Sequence, residues 1–211
     1  MAASTVQEYV AERGITYLLH FTRLSNLASI LRHGLVRRGR LDGQNVGGIV
    51  NDRQRLDGTD AVCLSIGFPN YKMFYRYRRE NPQEDWVVVV IDPSALWTLP
   101  CAFCTTNAAA NRVTAIPIIQ RFGLAAFQAM YNDFDDKIRA NLNLKDHLPT
   151  NPQAEVLMLE GVPAAYLRGV VVPNDTMKAQ VEALHPGLRV WRHQGFFSYR
   201  NDFAQWPQPQ G

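Results

Sequence analysis

Cysteine is scarce: three residues in a chain of 211, an odd number. That excludes the paired framework of a small secreted disulfide protein. Long apolar runs are absent too. The longest, Trp86 to Ile91, falls far short of the roughly 20 residues that cross a bilayer. The stretch from Met1 to Gly14 lacks the apolar core of a secretory signal and carries Glu8, Glu12 and Arg13. A cytoplasmic protein without a membrane partner is expected. Charged residues make up only 19% against 46% hydrophobic ones, a balance that excludes a disordered chain and allows a sizeable core. No Gly-Lys-Ser/Thr ending of a P-loop and no GxGxxG occur, so the two commonest phosphate-binding glycine motifs are ruled out.

What charge there is falls unevenly. The net charge is +3. Seven arginines stand between Arg23 and Arg55 against two acids, Asp42 and Asp52. Lys72 to Arg79 holds four cations and no acid, while Asp133, Asp135 and Asp136 collect elsewhere. One positive face is predicted, a footprint suited to nucleic acid.

The length suits one domain, read here as 1–204 with a flexible Pro/Gln-rich tail over 205–211. A capping box at Ser4 and Gln7 starts a helix that Gly14 ends. Thr16 to His20 reads as a strand, and Thr22 as the cap of a helix with Leu24, Leu27, Ile30 and Leu31 at helical spacing, stopped by Gly34. Arg37 to Gly58 has no periodicity and reads as a long functional loop. Strands are expected over Ala61 to Ile66, Trp86 to Ile91, Ala154 to Leu159, Val170 to Val172 and Leu188 to Trp191. Helices are expected after Asn70, from Pro117 to about Leu142, and over Asn174 to Leu184. Pro100 to Ala115 reads as irregular. Strands returning from distant parts of the chain, with no regular alternation, point to an α+β fold.

Three stretches carry candidate chemistry. In Gln153-Ala154-Glu155, strand alternation puts the amide and the carboxylate on one face. Such a pair can orient a substrate and hold a ribose hydroxyl, or it can be a solvated sheet face. His20-Phe21-Thr22 stands where a strand meets a helix, with Asn26 and Gly34-Leu35 nearby. The loop Asn45 to Arg53 brings a guanidinium suited to phosphate or carbonyl oxygens.

In order and spacing these pieces (HFT with the following NL and ILRHGL, GGIVNDRQ, and QAEVL) resemble the DarT family of DNA ADP-ribosyltransferase toxins, whose partner antitoxin DarG bears a macrodomain. The likeness extends from Tyr17 to about Pro173. It implies an ADP-ribosyltransferase-like fold of two packed, mainly antiparallel sheets with NAD in the cleft between them. It further implies transfer of ADP-ribose from NAD to a thymine ring nitrogen in single-stranded DNA. Carried over by position, His20, Thr22, Asn26, Gly34 and Leu35 would bind NAD, and Glu155 and Arg53 would be catalytic. The segment before Gln153 would read the substrate. Protein-modifying relatives carry Ser-Thr-Ser or a tyrosine where Cys63-Leu64-Ser65 stands here, so Ser65 receives no role. A macrodomain antitoxin and single-stranded DNA are the implied partners of a monomer.

The chemistry is coherent without the name. Breaking a nicotinamide–ribose bond passes through a cation-like sugar that a carboxylate stabilises, and no metal is called for. Tyr71 to Arg79 interleaves cations with aromatics, so Lys72, Met73, Tyr75, Arg76, Arg78 and Arg79 are candidates, with Gln153, for gripping the strand. The alternative for that segment is an amphipathic helix burying Met73, Phe74 and Tyr77. Cys101-Ala102-Phe103-Cys104 is a single CxxC without a partner pair, a weak zinc signal. Two other readings stay open: a transferase acting on RNA or protein, and a single-strand-binding module without turnover.

Overall fold

The computed structural model describes residues 3–41 and 58–206. Its elements in order are α1 (Val6–Glu12), β1 (Leu18–Arg23), α2 (Leu27–His33), α3 (Arg38–Leu41), β2 (Val62–Ile66), α4 (Tyr71–Glu80), β3 (Trp86–Ile91), α5 (Ala95–Thr98), β4 (Cys101–Cys104), α6 (Asn111–Thr114), α7 (Gly123–Ala129), β5 (Glu155–Met158), β6 (Leu167–Val172), α8 (Asp175–Leu184) and β7 (Val190–Arg192). The first cap falls one residue later than expected: Thr5 accepts from the Glu8 amide at 3.1 Å, and Ser4 instead donates to the Glu8 carboxylate.

The two packed sheets expected from the resemblance are one. A seven-stranded sheet runs β4-β5-β2-β1-β3-β6-β7. The physical reason lies at its middle, where β1 meets β2 through only two residue pairs, Leu18 with Ile66 and Leu19 with Ser65. Those pairs join a three-stranded half to a four-stranded half. Beyond Leu19 β1 stays paired with β3 up to Arg23, while β2 stays paired with β5. The halves are therefore joined along β1 and β2 by those two pairs alone. Every pairing is antiparallel except β6 with β7, which α8 connects as a crossover.

β3, Trp-Val-Val-Val-Val-Ile, is buried at all six positions. Its alternation sorts the core. Val87, Val89 and Ile91 face a cluster built from α1, α2, α7 and α8, including Tyr9, Leu27, Phe127 and Val181. Trp86, Val88 and Val90 face Phe74 of α4 together with Phe196 and Phe197. A central strand covered on both faces needs no polar alternation, which is why this run is continuous. Each fully buried valine here is worth roughly 1.5–3 kcal/mol relative to exposure.

Three expectations change. β1 extends to Arg23, so Thr22 belongs to the strand and does not cap α2. Cys101–Cys104, read as irregular, is an edge strand paired with β5. The frayed end does not begin at Gln205: Trp206 is buried, and its indole donates to Asp202 at 2.7 Å.

Candidate active site

Glu155 opens β5 and is only 5% exposed. A solvated sheet face is therefore excluded. Both carboxylate oxygens are held. Oε2 accepts from the Ala108 backbone amide at 2.8 Å, and Oε1 from the Asn70 side-chain amide at 3.3 Å. Asn70 is buried and does three things. Its Oδ1 accepts from the Met73 amide and so caps α4; its Nδ2 reaches Glu155; its backbone amide donates to Ser65 Oγ at 3.0 Å. The ladder that pairs Leu64 with Val156, continued by one residue, puts Ser65 across from Glu155. Ser65, Asn70 and Glu155 thus form one buried network with Asn70 at its middle. A carboxylate taken out of water needs such donors, or its desolvation goes uncompensated.

Cys104 stands opposite Glu155 on the other side, in β4. Its sulfur accepts from the buried Arg121 guanidinium at 3.6 Å, and Arg121 Nε has no hydrogen-bond partner. Cys101 and Cys104 lie three apart on a strand, so they project from opposite faces and cannot share a metal. Burial pushes the Cys101 thiol up to about 12. Among the described residues no group of three or more His, Cys, Asp or Glu could hold a metal ion.

His20 stands where β1 leaves β2. Its Nδ1 lies 2.9 Å from the Cys63 carbonyl of β2, so a side chain replaces the ladder bond that the splay removes. A carbonyl only accepts, so Nδ1 carries the hydrogen and, in the neutral ring, Nε2 is the acceptor. Thr22 and Asn26 are buried and paired, the Asn26 amide donating to Thr22 Oγ1 at 3.0 Å. Gly34 ends α2 with φ of 79°, and a Cβ there would meet the Val162 carbonyl at 2.2 Å. Next to it Leu35 exchanges two 2.8 Å backbone bonds with Val162. These five residues follow one another along the chain from the end of the β1–β2 pairing through α2 to the Leu35–Val162 bridge. Arg53 and the 45–53 loop lie outside the described residues.

The segment before Glu155 is held from behind. Six consecutive carbonyls accept from side chains. Arg139 donates to Lys145, Asp146 and Leu148, Tyr131 to His147, and Arg200 to Pro149 and Thr150, at 2.7–3.3 Å. Arg200 is itself buried, and its fork meets Asp202 with two 2.6 Å bonds. Gln153 stands in the turn ahead of β5, not in the strand, and its amide donates to Asn151 Oδ1 at 2.8 Å. Strand alternation therefore does not set it beside Glu155.

On α4 the two readings divide residue by residue. Phe74 is fully buried, stacked on Phe21 at 4.7 Å, and Tyr77 packs against the same cluster. Met73 accepts from the Asn107 amide at 3.2 Å. Arg78 donates to the Phe197 carbonyl at 2.7 Å and lies over the Phe74 ring, which gives it a structural duty. Arg76 pairs with Glu80 at 2.7 Å on the exposed side. Lys72 is half-buried, and that burial holds its ammonium below the usual lysine range. Tyr75 and the exposed Arg79 share the outer face, the guanidinium 5.8 Å from the ring. The four cations therefore do not act as one set.

Asn70, Ser65 and Ala108 are the site residues that sequence reasoning missed. Asn70 was legible only as a helix cap. Its bond to Glu155 spans 85 positions, and no local pattern signals such a contact.

Comparison with solved structures defines the class through the fold. Thermosipho africanus DarTG in complex with ADP-ribose superposes with a TM-score of 0.60 at 16% identity, covering 86% of this chain. This chain spans 51% of that one. Thermus sp. 2.9 DarT in complex with ADP-ribosylated single-stranded DNA gives 0.55 at 17% identity, covering 88% and 97% of the two chains. The same protein with NAD+ gives 0.50 at 17%, covering 87% and 98%. No curated protein matches. The family model of DarT, described as ssDNA thymidine ADP-ribosyltransferase, matches residues 19–195. The chain belongs to the DarT family.

Proposed function

We propose that this chain uses NAD to ADP-ribosylate thymidine in single-stranded DNA and releases nicotinamide, with Glu155 as the catalytic carboxylate. One observation carries the assignment: a carboxylate buried at the start of a strand, both oxygens engaged, beside the split between β1 and β2. The structure of a DarT relative with NAD+ and of one with ADP-ribosylated DNA supports the choice of cosubstrate and acceptor.

A carboxylate oxygen accepts more than one hydrogen bond, so Glu155 can also take a hydroxyl of the NAD ribose. Its negative charge then faces the sugar as the bond from C1′ to nicotinamide nitrogen breaks and positive charge develops. The thymine ring nitrogen forms the new bond to C1′ and gives up its proton. Glu155 takes or relays that proton, and Arg53 stabilises the charge left on the base carbonyls. His20, Thr22, Asn26, Gly34 and Leu35 hold the NAD, and Gln153 with the clamped 145–152 segment faces the base. The fixed carbonyls of that segment suit a rigid reader, since a preorganised loop loses little entropy on binding.

The DarTG relative supports an antitoxin of the DarG type as partner; the macrodomain, the monomeric state and a cytoplasmic location belong to this reading. No helix among the described residues is long and apolar enough to cross a membrane. The test is incubation with NAD and oligonucleotides of each base, followed by mass measurement. An ADP-ribose adduct on thymidine-containing DNA alone supports the reading. Modification only of RNA or of protein, or binding without nicotinamide release, overturns it.

A further inference from the structure

The end of α4 and the segment after β7 border an open pocket of about 450 Å³. Tyr75, Arg78, Arg79, Phe197 and Tyr199 are among its lining, which contains no carboxylate. The ring of Tyr199 stacks on that of Phe203 at 5.0 Å and approaches Tyr75 at 5.5 Å, with the Arg79 guanidinium over Tyr75. Tyr199 remains 40% exposed and Phe203 39%. Exposed rings in a row beside an exposed guanidinium are unusual on a surface that merely needs solvating. The Tyr71 hydroxyl is buried without a hydrogen-bond partner, and its ring meets Tyr199 edge-on at 5.8 Å.

We infer that this pocket is a second single-strand subsite, in which Tyr75 and Tyr199, the latter backed by Phe203, stack bases flanking the modified thymidine and Arg79 pairs with the backbone phosphate. The inference rests on the reading of the chain as a DNA-modifying enzyme. Three observations select this occupant. Its chemistry is that of single-strand platforms, where every base offers a face to stack and phosphates need cations. Its volume falls in the range of small-ligand sites, about 300–1,000 Å³. Its position is in line with the reaction. Asn70, the cap of α4, touches Glu155, and Arg79 follows nine residues later, about 13.5 Å along the helix axis at ~1.5 Å per residue. That distance corresponds to about four nucleotides at a stacked spacing of ~3.4 Å, and fewer in an extended strand. Tyr199 and Phe203 lie beyond residue 195, where the family match ends.

The experiment compares KM for an acceptor of ~4 nucleotides with that for one of ~15, both centred on a single thymidine, within the span of site sizes such platforms show. Wild-type protein should bind the longer strand more tightly. Tyr199→Ala should erase roughly tenfold of that gain, the order expected for one lost stack. Arg79→Gln should flatten the plot of log affinity against log salt by about 0.7 for the long strand. Because Arg79 is exposed, this second variant remains informative should the first fail to fold. Equal KM changes for both lengths, or an unchanged salt slope with Arg79→Gln, would overturn the subsite while leaving the transferase assignment standing. Absence of any adduct from the wild-type protein would overturn the transferase assignment, and the subsite with it.

Discussion

Replacing Asn70 by aspartate should separate its structural duty from its catalytic one. The two side chains have the same shape. The aspartate keeps an oxygen to accept from the Met73 amide, so the cap of α4 survives. What changes is the other arm: an amide that donates to Glu155 Oε1 at 3.3 Å becomes a second carboxylate oxygen at that distance. Two full charges 3.3 Å apart at an effective dielectric near 20 repel by about 5 kcal/mol before relaxation. Taking up a proton relieves most of that, and the folded pair then binds it more tightly than the unfolded chain does. A group that holds its proton more tightly when folded adds stability as pH falls. The Tm deficit of Asn70→Asp against the parent should therefore be several degrees at pH 8 and shrink toward pH 5. Transfer at neutral pH should fall at least tenfold. Asn70→Ala removes cap and donor together, at about 2–4 kcal/mol; at ~2–4 °C per kcal/mol this lowers Tm by roughly 5–15 °C with little dependence on pH. Thermal melts across pH beside an adduct assay read both quantities. The network would be refuted by an aspartate variant of parental activity whose Tm deficit does not vary with pH.

Glu155→Gln should leave a folded protein, because the amide oxygen can still accept from Ala108, and should cut transfer far more than tenfold; survival within tenfold, about 1.4 kcal/mol of barrier, would rule the role out. Arg53→Ala should depress turnover strongly and Arg53→Lys rescue it poorly, since a point charge cannot replace a planar fork; full activity of the lysine variant in steady-state assays would show that charge alone matters. Arg200→Met leaves Asp202 buried without its cation and frees two carbonyls of the 145–150 segment. It should cost about 3–5 kcal/mol and raise KM for DNA more than KM for NAD; a melt unchanged from the parent would show that this clamp is not needed.

Several elements were legible along the chain because their signals are local. Glycine at the end of a periodic run and a continuous β-branched strand both report on their immediate neighbours. α2 follows from periodicity, β3 from its unbroken β-branched run and α8 from its Asn174 cap, and the order of short motifs was enough to suggest the family. What periodicity could not decide was everything set by register between distant strands. Thr22 looked like a cap because hydroxyls before apolar runs usually are, yet β3 pairs with β1 as far as Arg23 and keeps Thr22 in the strand. Cys101–Cys104 looked irregular because four residues are too few to show alternation; β5 supplies the partner that makes them a strand. The count of sheets turned on two pairs between β1 and β2, which no composition reveals. Asn70 acquired its second duty the same way. Its cap is written in the three residues that follow it, whereas its bond to Glu155 exists only because β2 pairs with β5 and brings together positions far apart in the chain. Local free energies select helices, turns and the central strand, and the sequence by itself determined those; long-range pairing placed the carboxylate among its donors, and only the tertiary structure decided that.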